Sequence, residues 1–282
     1  MQYLTERFGG PVSVVKNTGA VLTGLGHAVS YWATVENKDR KDISLKGTVH
    51  MYNPVWPRFW FRSNELARDL LNEMLSIDIL HINGFWGHPV YAASKVARKR
   101  NAPYILSPHG CLSPWRLRNT FVKGIKKKFY FDLISVPIMS GSSCLQACSE
   151  LEAEHFRMAD YKGPITIIPN GVDTNEFSDG DGAEAEARWP DLKDRPVVLF
   201  MSRLSPEKGL DMLIPVWAEL VKSTSCKDAL LVIAGPDVKG YQKVVELLIK
   251  KYNIDSNILL TGMVQGQKKL ALLRRADIFV LP

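Results

Sequence analysis

The stretch Val197–Gly209, VVLFMSRLSPEKG, decides how this chain is organised. An apolar run of strand length ends there in a loop that carries Arg203 and Lys208, and an apolar helical pattern follows Gly209. Open α/β sheets bind ligands at the carboxyl ends of their strands, and helix N-termini attract anions. Arginine offers a planar fork for phosphate oxygens, and lysine offers a mobile point charge. The stretch therefore suits a diphosphate site on an α/β fold. Two solvated cations before a glycine turn would explain the same residues equally well.

Apolar strands and amphipathic helices alternate along almost the whole chain, which indicates parallel sheets covered by helices on both faces. In the first half the predicted strands are His27–Val35, Gly47–Tyr52, Ile77–Ile82, Tyr104–Pro108, Cys144–Ala147 and Ile165–Ile168. In the second half they are Pro196–Ser202, Ala229–Ala234, Ile258–Thr261 and Ile278–Pro282. The predicted fold class is α/β, with two Rossmann-like, doubly wound parallel-sheet domains that face a cleft.

The chain of 282 residues is long enough for two domains, each with its own core. We predict a first domain over residues 1–176, a connection over 177–195 and a second domain over 196–282. The connection is acidic, rich in Asp, Ala and Gly, and poorly periodic.

Both predicted domains look incomplete. Gly9 and Gly10 precede the first helix with only eight residues ahead of them, too few for the strand that a doubly wound domain places there. The last apolar strand, Ile278–Pro282, is expected beside the first strand of its domain, with no helix behind it. We therefore expect the first strand to be missing from the first domain and the second domain to be truncated.

Two further loops carry candidate ligand contacts. Gly9 and Gly10 lead into a helix, where a backbone can approach phosphate closely, although a tight turn before Pro11 explains them as well. His109 follows a predicted strand and is placed to hydrogen-bond a ligand, to move a proton or simply to form a turn. The loop Phe85–His88 presents an aromatic residue with a histidine, which could stack on and contact a sugar or other ring. Alternatively, its Trp fills the space between sheet and helix. No G-x-G-x-x-G or Walker motif follows a strand, which argues against a dinucleotide cofactor.

The net charge of +7 is unevenly distributed. Residues 1–172 hold 21 Lys and Arg against 13 Asp and Glu, and residues 173–282 hold 15 against 16. The stretch Pro114–Phe131, PWRLRNTFVKGIKKKFYF, interleaves basic and aromatic residues. It suits either an anionic membrane surface or a solvated helix face with its aromatics in the core. No recognised nucleic-acid module accompanies this charge, so no nucleic-acid partner is predicted.

Cysteine usage and hydropathy indicate a cytoplasmic protein that is peripheral at most, on the inner face of the membrane. The amino-terminal residues are too polar for a signal peptide, and the longest uncharged run, 133–149, is broken by proline, glycine and serines. The four cysteines form no C-x-x-C pair, so buried free thiols in a reducing compartment are expected.

The ordered set of motifs resembles the retaining glycosyltransferases of family 4, which have the GT-B fold, and in particular bacterial members that build cell-surface polysaccharides. The segments that carry the resemblance are Phe8–Val15 (FGGPVSVV), Ser107–Trp115 (SPHGCLSPW), Ile168–Asp173 (IPNGVD), Phe200–Ile214 (FMSRLSPEKGLDMLI), Leu231–Asp237 (LVIAGPD), Leu259–Val264 (LLTGMV) and Ala276–Pro282 (ADIFVLP). The resemblance implies transfer of a sugar from a nucleotide diphosphate sugar to an acceptor hydroxyl, on a lipid-linked or polysaccharide acceptor. Retention of the anomeric configuration and the absence of a metal or other cofactor are implied in the same way.

The resemblance also assigns roles to residues. It implies that Arg203 and Lys208 hold the donor diphosphate, that Gly9 and Gly10 approach that phosphate, and that His109 acts close to the donor sugar as the catalytic histidine. The nucleotide base is expected beside the backbone of Met263 and Val264.

One departure from the family pattern bears on activity. The family places two glutamates, seven residues apart, shortly after the strand that here ends at Pro282, and this chain has neither. We therefore expect little transferase activity from these 282 residues. A catalytically impaired nucleotide-sugar-binding remnant and a nucleotide-sugar epimerase remain the alternatives.

Overall fold

The computed structural model describes residues 4, 10–36, 40, 45–114, 130–177, 180–223 and 225–282. The chain divides into two compact units, Met1–Val172 and Asp173–Pro282.

Unit 1 is built from parallel strands and the helices that connect them. Its strands are β1 Ser30–Thr34, β2 Thr48–Tyr52, β3 Leu80–Asn83, β4 Tyr104–Ser107, β5 Cys144–Ala147 and β6 Ile165–Ile167. Its helices are α1 Gly10–Gly24, α2 Asn64–Glu73, α3 His88–Lys99, α4 Val136–Ser140 and α5 Glu150–Met158, with a π-helical turn at Phe131–Ser135 before α4. Strands β3-β4-β5-β6 form one parallel sheet in sequence order, and β1-β2 form a separate parallel pair.

The core of unit 1 lies between the four-stranded sheet and its helices. Leu106 and Leu145 on the central strands are fully buried and belong to one cluster with Val90 of α3, Ile138 of α4 and Phe156 of α5. Ser63 and Ser149 cap α2 and α5, because their hydroxyls accept the N–H groups of Leu66 and Glu152. The packing sets the carboxyl ends of β3, β4 and β5 side by side.

A cavity of about 1010 Å³ lies between the two sheets of unit 1. Its walls include residues of α1, of β1 (Ser30, Trp32) and of β3 (Leu80, Ile82). Within the described residues, β1 and β3 are not hydrogen-bonded neighbours.

Unit 2 is a four-stranded parallel sheet with helices. Its strands are β7 Val197–Met201, β8 Leu230–Ala234, β9 Ile258–Gly262 and β10 Ile278–Phe279. Its helices are α6 Gly182–Arg188, α7 Leu210–Leu220, α8 Gln242–Tyr252 and α9 Gln267–Arg275. The strand order is β10-β7-β8-β9, so the last strand lies beside the first, as predicted.

Apolar residues cover both faces of the unit 2 sheet. Phe200, Leu231 and Ile233 pack with Ile214 and Trp217 of α7 in one buried cluster. On the other face, Leu199, Val232 and Ala234 pack with Ala271 and Leu272 of α9. β8 is buried along its whole length, as expected for the centre of a parallel sheet.

The segment 177–195, predicted to be a connection between domains, differs from that description. It contains helix α6, and Ala185 and Leu192 are fully buried in the same cluster as β7 and α9. The Arg275 side chain, only 14% exposed, donates hydrogen bonds to Glu186 at 2.6 Å and to the Arg195 carbonyl at 2.8 Å. These long-range contacts make the segment part of unit 2, and the division between units falls at Val172/Asp173 rather than after residue 176.

The observed architecture confirms the α/β fold class with parallel sheets in both halves. Among the described helices, none is both long enough and apolar enough to cross a bilayer. Cys111, Cys144, Cys148 and Cys226 form no disulfide, as expected, but they are half-buried and not buried. Burial raises the pKa of Cys148 to about 11, which leaves it a poor nucleophile at neutral pH.

Candidate functional site

Arg203 and Lys208 occupy the loop between β7 and α7, at the carboxyl end of the first strand of unit 2. Arg203 is half-exposed, and its Nη2 lies 3.4 Å from Glu207 Oε1. Lys208 ends a short 3-10 turn, Pro206–Lys208, that leads into α7. An exposed ion pair of this kind contributes only about 0.2–1 kcal/mol, so the guanidinium can exchange Glu207 for another anion at little cost.

The start of α7 is open to an anion because Gly209 occupies the N-cap position. Gly209 has φ +69° and no side chain with which to cap the first turn of the helix. Met212 and Leu213 donate their N–H groups to the Gly209 carbonyl, and among the described residues no side chain caps this helix. A Cβ at Gly209 would lie 3.2 Å from the Pro282 ring, so glycine suits both the backbone angle and the space. Two cations and the positive end of a helix dipole therefore share this loop.

Two glycines bring the neighbouring strand ends together at the same edge of the sheet. Gly235, after β8, has φ +153°, and a Cβ there would collide with the Ser202 carbonyl. Its N–H donates to the Gly262 carbonyl at 2.8 Å, which ties the end of β8 to the end of β9. Met263 and Val264 follow Gly262 directly. Met263 is exposed, whereas Val264 packs against the apolar cluster under α9.

His109 lies at the carboxyl edge of the unit 1 sheet, directly after β4. It adopts a left-handed backbone angle, φ +52°, and Gly110 follows with φ +72°. Its Nε2 lies 2.9 Å from Oδ1 of Asn83, the last residue of β3. Asn83 Nδ2 donates to the His81 carbonyl, which turns Oδ1 towards the imidazole. His109 Nε2–H is therefore the donor, and Nδ1 keeps its lone pair.

Burial governs the charge of His109. It lowers the pKa of His109 below 6.5, although the nearby carboxylate of Glu152 opposes the shift. The imidazole is consequently neutral at pH 7. A neutral, well-oriented histidine suits hydrogen bonding to a ligand hydroxyl more than it suits holding an anion.

Glu152 holds the His109 turn from a distant part of the chain. This residue of α5 is buried, and its two carboxylate oxygens accept the N–H groups of Gly110 at 2.6 Å and Cys148 at 2.8 Å. The carboxylate thus joins the loop after β4 to the loop after β5. No sequence motif marks Glu152 or Asn83 as a site residue. The only local signal was the Ser149-x-x-Glu152 spacing of a helix-capping motif.

A second polar chain crosses the same sheet edge. His81 Nε2 lies 2.7 Å from Ser107 Oγ, and the Ser107 hydroxyl donates to Gln146 Oε1 at 3.0 Å. Burial and the neighbouring His109 lower the pKa of His81, so it too is neutral at pH 7. Polar side chains that pair across three strands, with Ser107 buried between them, tie the ends of these strands together.

The aromatic loop Phe85–His88 has a packing role. Its contacts support the prediction that it fills the space between sheet and helix. Phe85 is buried and Trp86 packs against the unit 1 core, with the two rings in edge contact at 4.9 Å. His88 begins α3, and its Nδ1 accepts the N–H of Ser63. Burial and the charge of Arg62 lower the pKa of His88 to about 4.

The predicted site residues divide between the two units. Gly10 begins α1 and His109 follows β4, both in unit 1. Arg203, Lys208, Met263 and Val264 lie in the loops after β7 and β9 of unit 2. Gly9 and the basic stretch over 115–129 lie outside the described residues. Within the described part of the chain, no three His, Cys, Asp or Glu side chains are grouped to hold a metal ion. That the protein needs no cofactor stays a prediction.

Comparison with solved structures shows the same fold at low sequence identity. The chain is similar to Anabaena Alr3699/HepE, crystallised with UDP, with a TM-score of 0.70, 16% identity, and coverage of 99% of this chain and 71% of that one. It is also similar to a sucrose-phosphate synthase from Thermosynechococcus elongatus, with a TM-score of 0.68, 17% identity, and coverage of 97% and 70%.

Curated relatives match mainly over parts of their length. A GDP-mannose-dependent alpha-(1-6)-phosphatidylinositol monomannoside mannosyltransferase of Mycolicibacterium smegmatis is 32% identical over 130 residues, 45% of this chain and 33% of the relative. The alpha-monoglucosyldiacylglycerol synthase of Acholeplasma laidlawii is 22% identical over 96% of this chain and 70% of the relative. In the first case the match spans a third of the relative's length.

Family models cover nearly all of the chain. The model for Glycosyltransferase Family 4 matches residues 8–176, and the model for Glycosyl transferases group 1 matches residues 183–282. Together with the two parallel-sheet units and the matching fold of the solved structures, these matches show that the chain belongs to glycosyltransferase family 4, with the GT-B type of fold.

Proposed function

We propose that this chain binds a nucleotide diphosphate sugar and serves the transfer of its sugar to an acceptor hydroxyl, with retention of the anomeric configuration. The observation that carries the proposal is the loop between β7 and α7. It places Arg203 and Lys208 before a helix whose first turn is capped by no side chain of the described residues. Similar solved structures hold UDP and UDP-glucose, which supports a donor of this class.

The chemistry of the transfer explains why this loop suits the donor. Breaking the bond to the anomeric carbon leaves negative charge on the departing nucleotide diphosphate. A guanidinium, an ammonium and helix-end N–H groups stabilise such charge as it develops, and removal of one such group typically costs about 10²–10³ in rate. In this proposal Arg203 and Lys208 hold the diphosphate, and the backbone at Met263 and Val264 lies beside the base. Gly9 and Gly10 let the backbone approach the phosphate.

His109 is the proposed contact to the donor sugar. Its neutral imidazole is oriented by Asn83, and its turn is held by Glu152. A histidine fixed in this manner loses little conformational entropy when it hydrogen-bonds a sugar hydroxyl.

The acceptor is proposed to be lipid-linked or a polysaccharide. The names of the curated relatives support a lipid, since they include enzymes that act on a phosphatidylinositol mannoside and on a diacylglycerol glycolipid. Peripheral membrane contact is part of this proposal.

Isothermal titration of the chain with UDP, GDP and ADP tests donor binding, with a DNA duplex as the competing ligand class. We expect one nucleoside diphosphate to bind in preference to the others, with an affinity that EDTA leaves unchanged. Incubation with the matching nucleotide sugar and product analysis then separates transfer from epimerisation. Failure of all three nucleotides to bind, with binding of the duplex, would contradict the proposal.

A further inference from the structure

Unit 1 displays two aromatic side chains on one short turn, Val55–Arg62. The turn is closed by an antiparallel bridge, in which Val55 N–H donates to the Arg62 carbonyl at 2.8 Å. Trp56 is 82% exposed and Phe59 is 84% exposed. Large aromatics bury more apolar area than most side chains, so two of them in water on one turn mark a contact surface.

The turn is held rigidly by its third aromatic residue. Trp60 faces inward, where its ring meets His88 edge-on at 5.1 Å and Tyr91 at 5.7 Å. Its Nε1–H donates to the Tyr130 hydroxyl at 3.0 Å, and that hydroxyl donates to the Trp86 carbonyl. Trp56 and Phe59 are therefore presented by an anchored loop, and their exposure is a property of the folded unit.

The charge around the turn shows what kind of surface it fits. The stretch Asn53–Ser63 contains Arg58 and Arg62 and no acidic residue, and Arg58 is exposed. Tyr130, the hydrogen-bond partner of Trp60, is the penultimate residue of the basic stretch Pro114–Phe131, so the covalent chain brings the end of that stretch to the turn. Exposed aromatics flanked by arginine match the interface of an anionic bilayer, where rings enter the headgroup layer and cations meet lipid phosphates.

We propose that the Val55–Arg62 turn docks unit 1 on an anionic lipid surface by inserting Trp56 and Phe59. This extends the lipid-linked acceptor proposed above, because a docked enzyme meets a membrane-bound acceptor without leaving the surface. Vesicle binding needs no donor, so it can be measured apart from nucleotide binding.

The test is co-sedimentation of the chain with phosphatidylcholine vesicles, with and without phosphatidylglycerol, at low and high salt. The test variant is Trp56→Ser/Phe59→Ser. The matched control is Leu75→Ser/Leu247→Ser, which removes two apolar side chains that are 83% and 67% exposed elsewhere. Circular dichroism and thermal unfolding confirm that both variants fold. We expect binding that needs phosphatidylglycerol, falls at high salt, and is weakened at least about tenfold by the test variant and unchanged by the control.

Three outcomes would overturn the docking proposal. They are absence of vesicle binding by the wild type, equal weakening by test and control variants, and a dimer that dissociates in the test variant while vesicle binding is unchanged. The last would show that a second copy of the chain covers the turn. Vesicle binding through the turn by a chain that binds no nucleotide would leave the docking proposal standing and contradict the donor proposal alone.

Discussion

His109 Nε2 lies 2.9 Å from Asn83 Oδ1, across the carboxyl ends of two neighbouring strands. The amide orients the imidazole, and burial keeps it neutral, because an amide oxygen attracts the imidazolium much less than a carboxylate would. Replacing Asn83 with Asp keeps the shape and adds a negative charge at hydrogen-bonding distance. We expect the pKa of His109 to rise by about 1–3, as measured by NMR titration of the imidazole Hε1 signal. Asn101→Asp, at an exposed position of the same unit, is the control and should leave that signal unchanged.

Glu152 provides the second support of the His109 turn. Glu152→Gln keeps one carbonyl oxygen but turns an amide group towards the other N–H, so either Gly110 or Cys148 loses its acceptor. We expect a loss of about 1–3 kcal/mol in the free energy of unfolding, measured with urea. Glu154→Gln, on the exposed side of the same helix, should change it by less than about 0.5 kcal/mol. Equal stabilities of the two variants would show that the buried carboxylate does not support the turn.

Acid sensitivity should follow from the histidines of unit 1 whose pKa values are lowered, above all from buried His88. The pKa of His88 is about 4 in the folded chain against 6.5 in the unfolded chain, so between these values the unfolded state binds more protons. The contribution of neutral His88 to the free energy of unfolding is therefore fully present above pH 6.5 and is lost as the pH falls towards 4. The lowered pKa values of His81 and His109 act with the same sign.

The His88→Asn variant isolates this effect, because Asn can offer an acceptor to the Ser63 N–H without titrating. We expect the wild type to lose about 2–3 kcal/mol more than the variant between pH 6.5 and 4. Urea unfolding of both chains across this range is the measurement, and parallel pH profiles would contradict the proposed burial of neutral His88.

Arg203→Ala separates binding from stability. The side chain is half-exposed and its pair with Glu207 is weak, so we expect a change below about 1 kcal/mol in the free energy of unfolding. Loss of a charged contact to phosphate should weaken nucleoside diphosphate binding by about 10–100-fold. Lys222→Ala is the control, since Lys222 has a similar exposed pair with Glu219 just beyond the other end of α7. A nucleotide affinity that falls equally in both variants would argue against a specific role for Arg203.

Gly235→Ala and Gly262→Ala distinguish steric collision from backbone strain. Both glycines have positive φ, but a Cβ at Gly262 meets nothing within 4 Å, whereas a Cβ at Gly235 would collide with the Ser202 carbonyl. We expect Gly262→Ala to cost about 1–2 kcal/mol and Gly235→Ala distinctly more. Thermal unfolding would show this order, and a reversed order would mean that the strand ends separate easily.

Much of the fold could be predicted because its signals are local. Strand and helix positions follow from apolar periodicity within ten or so residues, and β10 beside β7 follows from the general order of doubly wound sheets. The loops that carry His109 and Arg203 were also located correctly, since ligands of such sheets lie at strand carboxyl ends. The proposed roles of these two residues stay predictions.

The misjudged features depend on distant contacts. The segment 177–195 looked like a connection because its local pattern is weak, yet Arg275, some eighty residues further along, binds its carbonyl groups. The His109 turn depends on Asn83, 26 residues earlier, and Glu152, 43 residues later, and no local pattern links the three.

The sequence by itself determined which segments are strands and helices, where the cationic loop lies and to which family the chain is similar, because these depend on side-chain type and spacing. The tertiary structure decided which aromatics are buried and which are exposed. Trp60 and Trp86 are packed within unit 1, whereas Trp56 and Phe59 face solvent, although all four lie in similar aromatic stretches. The physical reason is that burial and charge state depend on neighbours that folding brings together from distant parts of the chain.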